Sequence, residues 1–235
     1  ENDYKEEIEW IKLAWYYRLF GYWFFCNGKP TYITGVHWWY LNFWYLHDIL
    51  PEYRDVDRRW YIGQKWFQYD TTTFKDIDEK SNRPLQNAKG EYDMIDLGRR
   101  TVFGTNNPKS RRVGHTSKVQ CDNTEYATRT WEANIGIQGM NEKNAEMVYR
   151  DHFLKPFQKL PIIFRPLSDQ IASASDMYFC GDNLHEGLNT RYDYAASQHR
   201  GAYEGRMIKR LHEDEPGRLK IEDVNKRHAN VKYTL

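Results

Sequence analysis

Apolar residues recur at helical spacing from the start of the chain. Ile8, Ile11, Ala14-Trp15, Leu19 and Tyr22-Trp23 fall on one face between Glu6 and about Phe25, which predicts an amphipathic helix. Asn27-Gly28-Lys29-Pro30 is turn chemistry that ends it. A second helix is predicted from Val36 to Leu46 and a third from about Tyr53 to Phe74, and little in this part reads as a sheet. Ser81 to Gly90 is polar and contains Pro84, so the pattern divides the chain into a helical subdomain, residues 1–90, and a second region, residues 91–235. Beyond that boundary short apolar runs alternate with helical stretches. Strands are predicted at Thr101-Val102-Phe103, Asn134-Ile135-Gly136-Ile137-Gln138, Ile162-Ile163-Phe164 between Pro161 and Pro166, and Arg206 to His212. Helices are predicted from about Gly114 to Arg129 and from Asn141, a cap residue, to Leu154. Alternating strands and helices imply βαβ units, an α/β fold and a largely parallel sheet.

Composition sharpens the contrast between the halves. Of nine tryptophans, only Trp131 lies after Trp66. The plainer reading of this aromatic wealth is tight helical packing; the other is that some rings stack on a base or face a partner subunit. Cys26, Cys121 and Cys180 are far apart and form no C-x-x-C pair, which argues for a reducing environment and against zinc or a disulfide framework. No apolar run is long enough to span a membrane, and the acidic opening residues, Glu1 to Glu9, are unlike a signal peptide. The missing initiator methionine and the abrupt end at Leu235 read as a piece of a longer chain.

The formal net charge of +1 excludes nothing, so the distribution of charge has to carry the argument. Leu97 to Cys121 has no acidic residue but contains Arg99, Arg100, Lys109, Arg111, Arg112 and Lys118. That positive charge falls where a predicted strand passes through a loop into a helix, whose first amides and dipole favour an anion. Measured against the phosphate-binding pattern G-x-x-x-x-G-K-[ST], Gly114 fills the second glycine position and Thr116 the hydroxyl that ligates magnesium. Lys109 stands in place of the first glycine and His115 in place of the lysine. Histidine is short and mostly neutral near pH 7, so Lys109, at the other end of the loop, is the candidate for the ammonium on the β- and γ-phosphates. A basic surface loop is the competing reading of the same residues.

Lys109-Ser110-Arg111-Arg112-Val113-Gly114-His115-Thr116 resembles the lysine-first Walker A loop of tailed-bacteriophage terminase large subunits. The strand Asn134 to Gln138, the helix after it as far as Leu160-Pro161, and the upstream Gly35-Val36-His37-Trp38-Trp39-Tyr40-Leu41-Asn42-Phe43 are similar to the same family. The resemblance covers most of the chain and is strongest from about 98 to 166. It implies a RecA-like (ASCE) P-loop ATPase core with a mainly parallel sheet, preceded by an aromatic-rich helical subdomain. Lys109, Ser110, Arg111, Arg112, Val113, Gly114, His115, Thr116 and Ser117 would hold ATP, and Thr116 would hold Mg2+.

Hydrolysis also needs a carboxylate on the metal and a second one on the attacking water. Asp214-Glu215-Pro216-Gly217-Arg218, following the strand that begins near Arg206, is similar to the Walker B region of that family and lies 98 residues after Thr116. Asp214 is assigned to magnesium and Glu215 to the water. Lys209 and Arg210 interrupt the apolar run, which keeps open the reading of an acidic turn after an edge strand, and Glu213 leaves the register open by one residue. Arg111 is the candidate for neutralising charge on the γ-phosphate; Arg112 and an arginine from a neighbouring subunit are the alternatives.

The implied activity is ATP-driven translocation of double-stranded DNA into a procapsid. The implied partners are the portal protein, the terminase small subunit and further copies of the chain in a ring. The implied place is the host cell cytoplasm, transiently on the procapsid, with no membrane involved. The nuclease domain of the family is absent from this sequence, so DNA cleavage is not expected of it, and ATPase activity is expected to be weak. A structural or adaptor protein with a vestigial P-loop, and another RecA-like translocase such as a helicase, are the competing functions.

Overall fold

Helix α1, Asn2–Phe20, turns its buried Ala14 and Arg18 inward one helical turn apart. The helix stops at Gly21, whose φ of 89° suits glycine and whose amide closes on the Tyr17 carbonyl at 2.9 Å. In this computed structural model, residues 2–69, 73–75, 77–78, 83–84, 94–96, 114–168, 176–181, 186–196, 203 and 206–214 are described. The predicted first helix is therefore too long. Strand β1, Tyr22–Cys26, pairs antiparallel with β2, Lys29–Ile33, through Asn27 and Gly28, both at positive φ. Two such residues between strands make a tight hairpin turn whose twist matches the strands it joins. Asn-Gly flanked by extended aromatic residues was a hairpin signal. Helix α2, Gly35–Phe43, follows with Thr34 as its cap, the hydroxyl accepting the His37 amide at 3.3 Å.

The chain divides into two compact units, Glu1–Tyr53 with Lys109–Leu235, and Arg54–Pro108. This grouping differs from the predicted division at residue 90. A buried ion pair accounts for it: Arg18 on α1 reaches Glu125 in the later part of the chain at 3.3 Å. Trp15, Trp39 and Phe43 also pack their rings against Phe164. The first aromatic segment is thus one wall of the α/β unit.

The second unit holds helix α3, Asp55–Tyr69, shorter at both ends than predicted. Its acidic first turn suits the helix dipole, and Asp55 pairs with Arg58 and Arg59. The short strands β3, Thr73–Lys75, and β6, Met94–Asp96, pair antiparallel, as do β4, Ile77–Asp78, and β5, Arg83–Pro84.

The α/β unit resumes with α4, His115–Ala127, and β7, Asn134–Gly139. Helix α5, Glu142–Tyr149, begins under the predicted cap: the Asn141 side chain accepts the Asn144 amide at 2.9 Å. It continues through a π turn, Arg150–Leu154, into α6, Lys155–Gln158. Ile162–Phe164 is a 3-10 turn and not the predicted strand. The flanking prolines, which lack amide donors, leave it no ladder to join, and Phe164 turns into the tryptophan cluster. Strands β8, Asp176–Cys180, and β9, Gly187–Ala196, are not predicted, since neither shows a clear apolar alternation in the sequence. The last strand, β10, Ile208–Glu213, lies where one was predicted. The predicted strand at 101–103 and the loop at 106–113 lie outside the described residues.

Among the described residues the main sheet runs β10-β7-β9-β8. Strands β10, β7 and β9 are parallel, and β8 is antiparallel to β9. The fold is mixed α/β with a mostly parallel sheet. Ile135, Ile137, Tyr192 and Phe179 of the sheet are buried with Tyr149, Phe153 and Phe157. Phe153 stacks on Tyr192 with centroids 3.8 Å apart. No helix of the described residues is long and apolar enough to cross a membrane.

Candidate phosphate and metal site

The sheet carries β10 alongside β7 in parallel, so both strands end at the same edge. The Asp214 amide bonds the Gln138 carbonyl at 2.9 Å, which extends the pairing one residue past β10 and pins the carboxylate there. Ligands of open α/β sheets gather at this carboxyl edge. Helix α4 begins nearby. Gly114 caps it at a φ of 69°, offering no side chain to its first amides. The first helical bond of the turn is Lys118 N to Gly114 O at 3.3 Å, so the amides of residues 115–117 form the opening turn of the helix, ahead of its i to i−4 ladder. No acidic residue stands in that turn.

Helix α4 and β10 run antiparallel to each other, joined by three polar rungs. Thr116 Oγ1 donates to Asp214 Oδ1 at 3.4 Å. Gln120 Nε2 donates to His212 Nδ1 at 2.6 Å. Arg210 Nη1 donates to Asp122 Oδ2 at 2.7 Å, with its guanidinium 4.2 Å over the Tyr126 ring. The rungs fall on residues 210, 212 and 214 because alternate strand positions share a face. Arg210 is therefore a paired cation on the helix-facing side, and Lys209, on the other side, is exposed. This answers the objection that the two charges raise against a strand. Asp214 shares this helix-facing side with Arg210 and His212, one position out of step with Glu213. Burial raises the Asp122 carboxyl above its usual range, and Arg210 opposes that shift.

Of the predicted site residues, Gly114, Thr116 and Asp214 come together. Ser117 is beside them, but its hydroxyl meets His152 Nδ1 of the π turn at 2.7 Å. His115 is buried, which is poor placement for a substitute cation. Lys109, Ser110, Arg111, Arg112, Val113 and Glu215 lie outside the described residues. The sequence does not mark the rung partners Gln120, His212, Asp122 and Arg210, because Lys209 and Glu213 are charged as well and hide the strand's alternation.

The pair suits a magnesium ion bound with phosphate. Mg2+ bonds oxygen at about 2.0–2.1 Å in octahedral geometry, so neighbouring ligands stand about 2.9 Å apart, and Thr116 and Asp214, at 3.4 Å, would have to close by about half an ångström to share one ion. The ion also keeps waters and phosphate oxygens, so one carboxylate and one hydroxyl suffice. Among the described residues no cluster of three or more His, Cys, Asp or Glu side chains could hold a metal by itself. Comparison with protein-family models and with curated proteins finds no match for the chain.

Proposed function

We propose that this chain is the ATP-hydrolysing motor domain of a tailed-phage terminase large subunit, with a RecA-like P-loop core. The observation that carries the reading is the bond between Thr116 and Asp214. A hydroxyl opening one helix and a carboxylate ending one strand meet, although 98 residues separate them. Thr116 stands out in the sequence by the phosphate-loop pattern and Asp214 by its likeness to a Walker B end, and an acidic turn on an unrelated strand would have no reason to meet Thr116. The parallel β10 and β7, and a glycine-started helix at their carboxyl edge, are further support.

In this reading the amides of residues 115–117 and the ammonium of Lys109 bind the β- and γ-phosphates. Thr116 and Asp214 hold Mg2+, which neutralises charge on the phosphates and orients them. Glu215 orients the attacking water and takes up its proton, and Arg111 faces the charge that grows on the γ-phosphate. The work performed is translocation of double-stranded DNA, gripped through its phosphates by a ring of copies docked on a portal, with a small subunit as further partner. The motor would act in the host cell cytoplasm, on the procapsid.

Glu215→Gln and Lys109→Ala, in a protein that carries this chain, separate the steps. Both should lower ATP turnover by at least about a hundredfold, and Glu215→Gln should still bind ATP. Normal turnover in both variants would reject the proposal. The buried His115 favours one competitor, an adaptor protein whose loop has lost its catalytic function. That competitor predicts no binding of ATP with magnesium at all.

A further inference from the structure

We propose that Gln120 and His212 form a positioning pair that holds Thr116 and Asp214 within reach of one metal ion; this rests on the reading of that site given above. The pair lies one helical turn from Thr116 on α4 and two residues from Asp214 on β10. A shift of either element moves both rungs together.

The contact is enclosed: Gln120 is 0% exposed and His212 8%. An amide nitrogen only donates, so His212 Nδ1 is the acceptor. The other end of the amide is occupied too, since Gln120 Oε1 accepts the hydroxyl of buried Tyr192 on β9. Rotating the amide would disturb both bonds inside a low-dielectric interior, where an unmet polar group is costly. The third rung, Arg210 to Asp122, ties α4 to β10 again from another side of the helix, since residues two apart do not share a face. Helix α4 is thereby tied at three heights to β10, and through Tyr192 to β9 as well. A hydrophobic contact would permit sliding along the strand; directional bonds at 2.6 Å and 2.7 Å do not. Magnesium tolerates little deviation from octahedral geometry, so it is the ligand most sensitive to such sliding. Loss of groups that orient metal ligands typically costs about 10–100-fold in metal affinity.

The test is manganese binding to the full chain, read from the free Mn2+ resonance, with Mn2+ alone and with ADP. His212→Asn keeps an acceptor oxygen close to the place of Nδ1. His212→Leu and Gln120→Leu remove the rung, and Tyr192→Phe only releases the far end of the amide. Far-UV circular dichroism and thermal melting report whether each variant folds. The expected result is nucleotide-dependent Mn2+ binding weakened about tenfold or more in His212→Leu and Gln120→Leu. His212→Asn should stay within about threefold of wild type and Tyr192→Phe should fall between. Binding of ADP without metal should change less than about threefold in all four.

Folded leucine variants that bind Mn2+ as tightly as wild type would overturn the positioning role and leave the metal site standing. A His212→Asn variant as weak as His212→Leu would also overturn it, since the acceptor would then not matter. If the leucine variants do not fold, a folded Tyr192→Phe with unchanged Mn2+ affinity decides against the proposal. A wild-type chain that binds no Mn2+ with ADP would instead remove the underlying nucleotide reading, and this one with it.

Discussion

Arg18 holds a guanidinium with no exposure to solvent between α1 and the end of α4. It donates to the Glu125 carbonyl at 3.0 Å and to Thr128 Oγ1 at 2.6 Å, and pairs with the Glu125 carboxylate at 3.3 Å. The rings of Trp15, Trp39 and Phe164 lie within 5.2 Å of its carbon. Burial pulls its pKa below the usual guanidinium value, and Glu125 opposes that shift. The two partners are not equivalent, because Glu125 has a second cation in Arg129 at 2.7 Å. Glu125→Ala strands a buried charge and should cost about 3–5 kcal/mol. Arg18→Met leaves Glu125 paired and fills most of the volume, so it should cost about 1–3 kcal/mol. Urea unfolding of both variants checks the order, and a larger loss for Arg18→Met would contradict it. Nothing in the local sequence announced this pair, since a lone arginine on an aromatic helix reads as a solvated head on a buried stem.

At the scale of elements, the π turn Arg150–Leu154 brings His152 to Ser117 at 2.7 Å while Phe153 stacks on Tyr192. Asp151, within that turn, is held by Arg150 and Lys155, which lower its carboxyl to about 2 despite partial burial. A carboxyl with a lowered folded value contributes stability that is present above its unfolded value of 3.8 and lost as pH falls towards about 2. The group is near the surface, so solvent screening limits the contribution to about 0.5 kcal/mol. Asp151→Asn should therefore lower the urea midpoint slightly at pH 7, and the difference from wild type should shrink between pH 3.8 and about 2. A difference that grows in acid would be the wrong sign.

How much of this was legible depended on whether the signal was local. The α4 helix, the Asn141 cap, β7 and β10 carry their own patterning, and the structure has each of them. The hairpin is hidden in the sequence because the four aromatic residues Tyr22 to Phe25 fit a helix and a strand equally well, and only Asn27-Gly28 distinguishes them. Ile162-Ile163-Phe164 looked like a strand by β-branching, but Pro161 and Pro166 denied it a ladder. For the candidate site, Thr116 and Asp214 could be proposed from chemistry. The rung between them, Gln120 to His212, could not, because a buried amide and a buried histidine have no sequence pattern until the two elements are docked.

Across the whole molecule, the first aromatic segment and helix α4 belong to one compact unit. The three thiols report on its packing. Cys121 lies on α4 and Cys180 on β8, both buried, whereas Cys26 at the hairpin turn is half exposed. Under native conditions one thiol equivalent should react promptly with a disulfide reagent and the other two only after unfolding, since a buried thiol is inert. Three prompt equivalents would mean that α4 and the sheet do not pack as described. If they do pack so, Thr116 and Asp214 share one site, and calorimetric titration of ATP into the chain tests that claim most directly. The expected result is binding with Mg2+ that weakens by about tenfold or more when the metal is withheld or Asp214 is changed to Asn. Binding that is absent in the wild-type chain, or indifferent to both the metal and Asp214→Asn, would contradict the account.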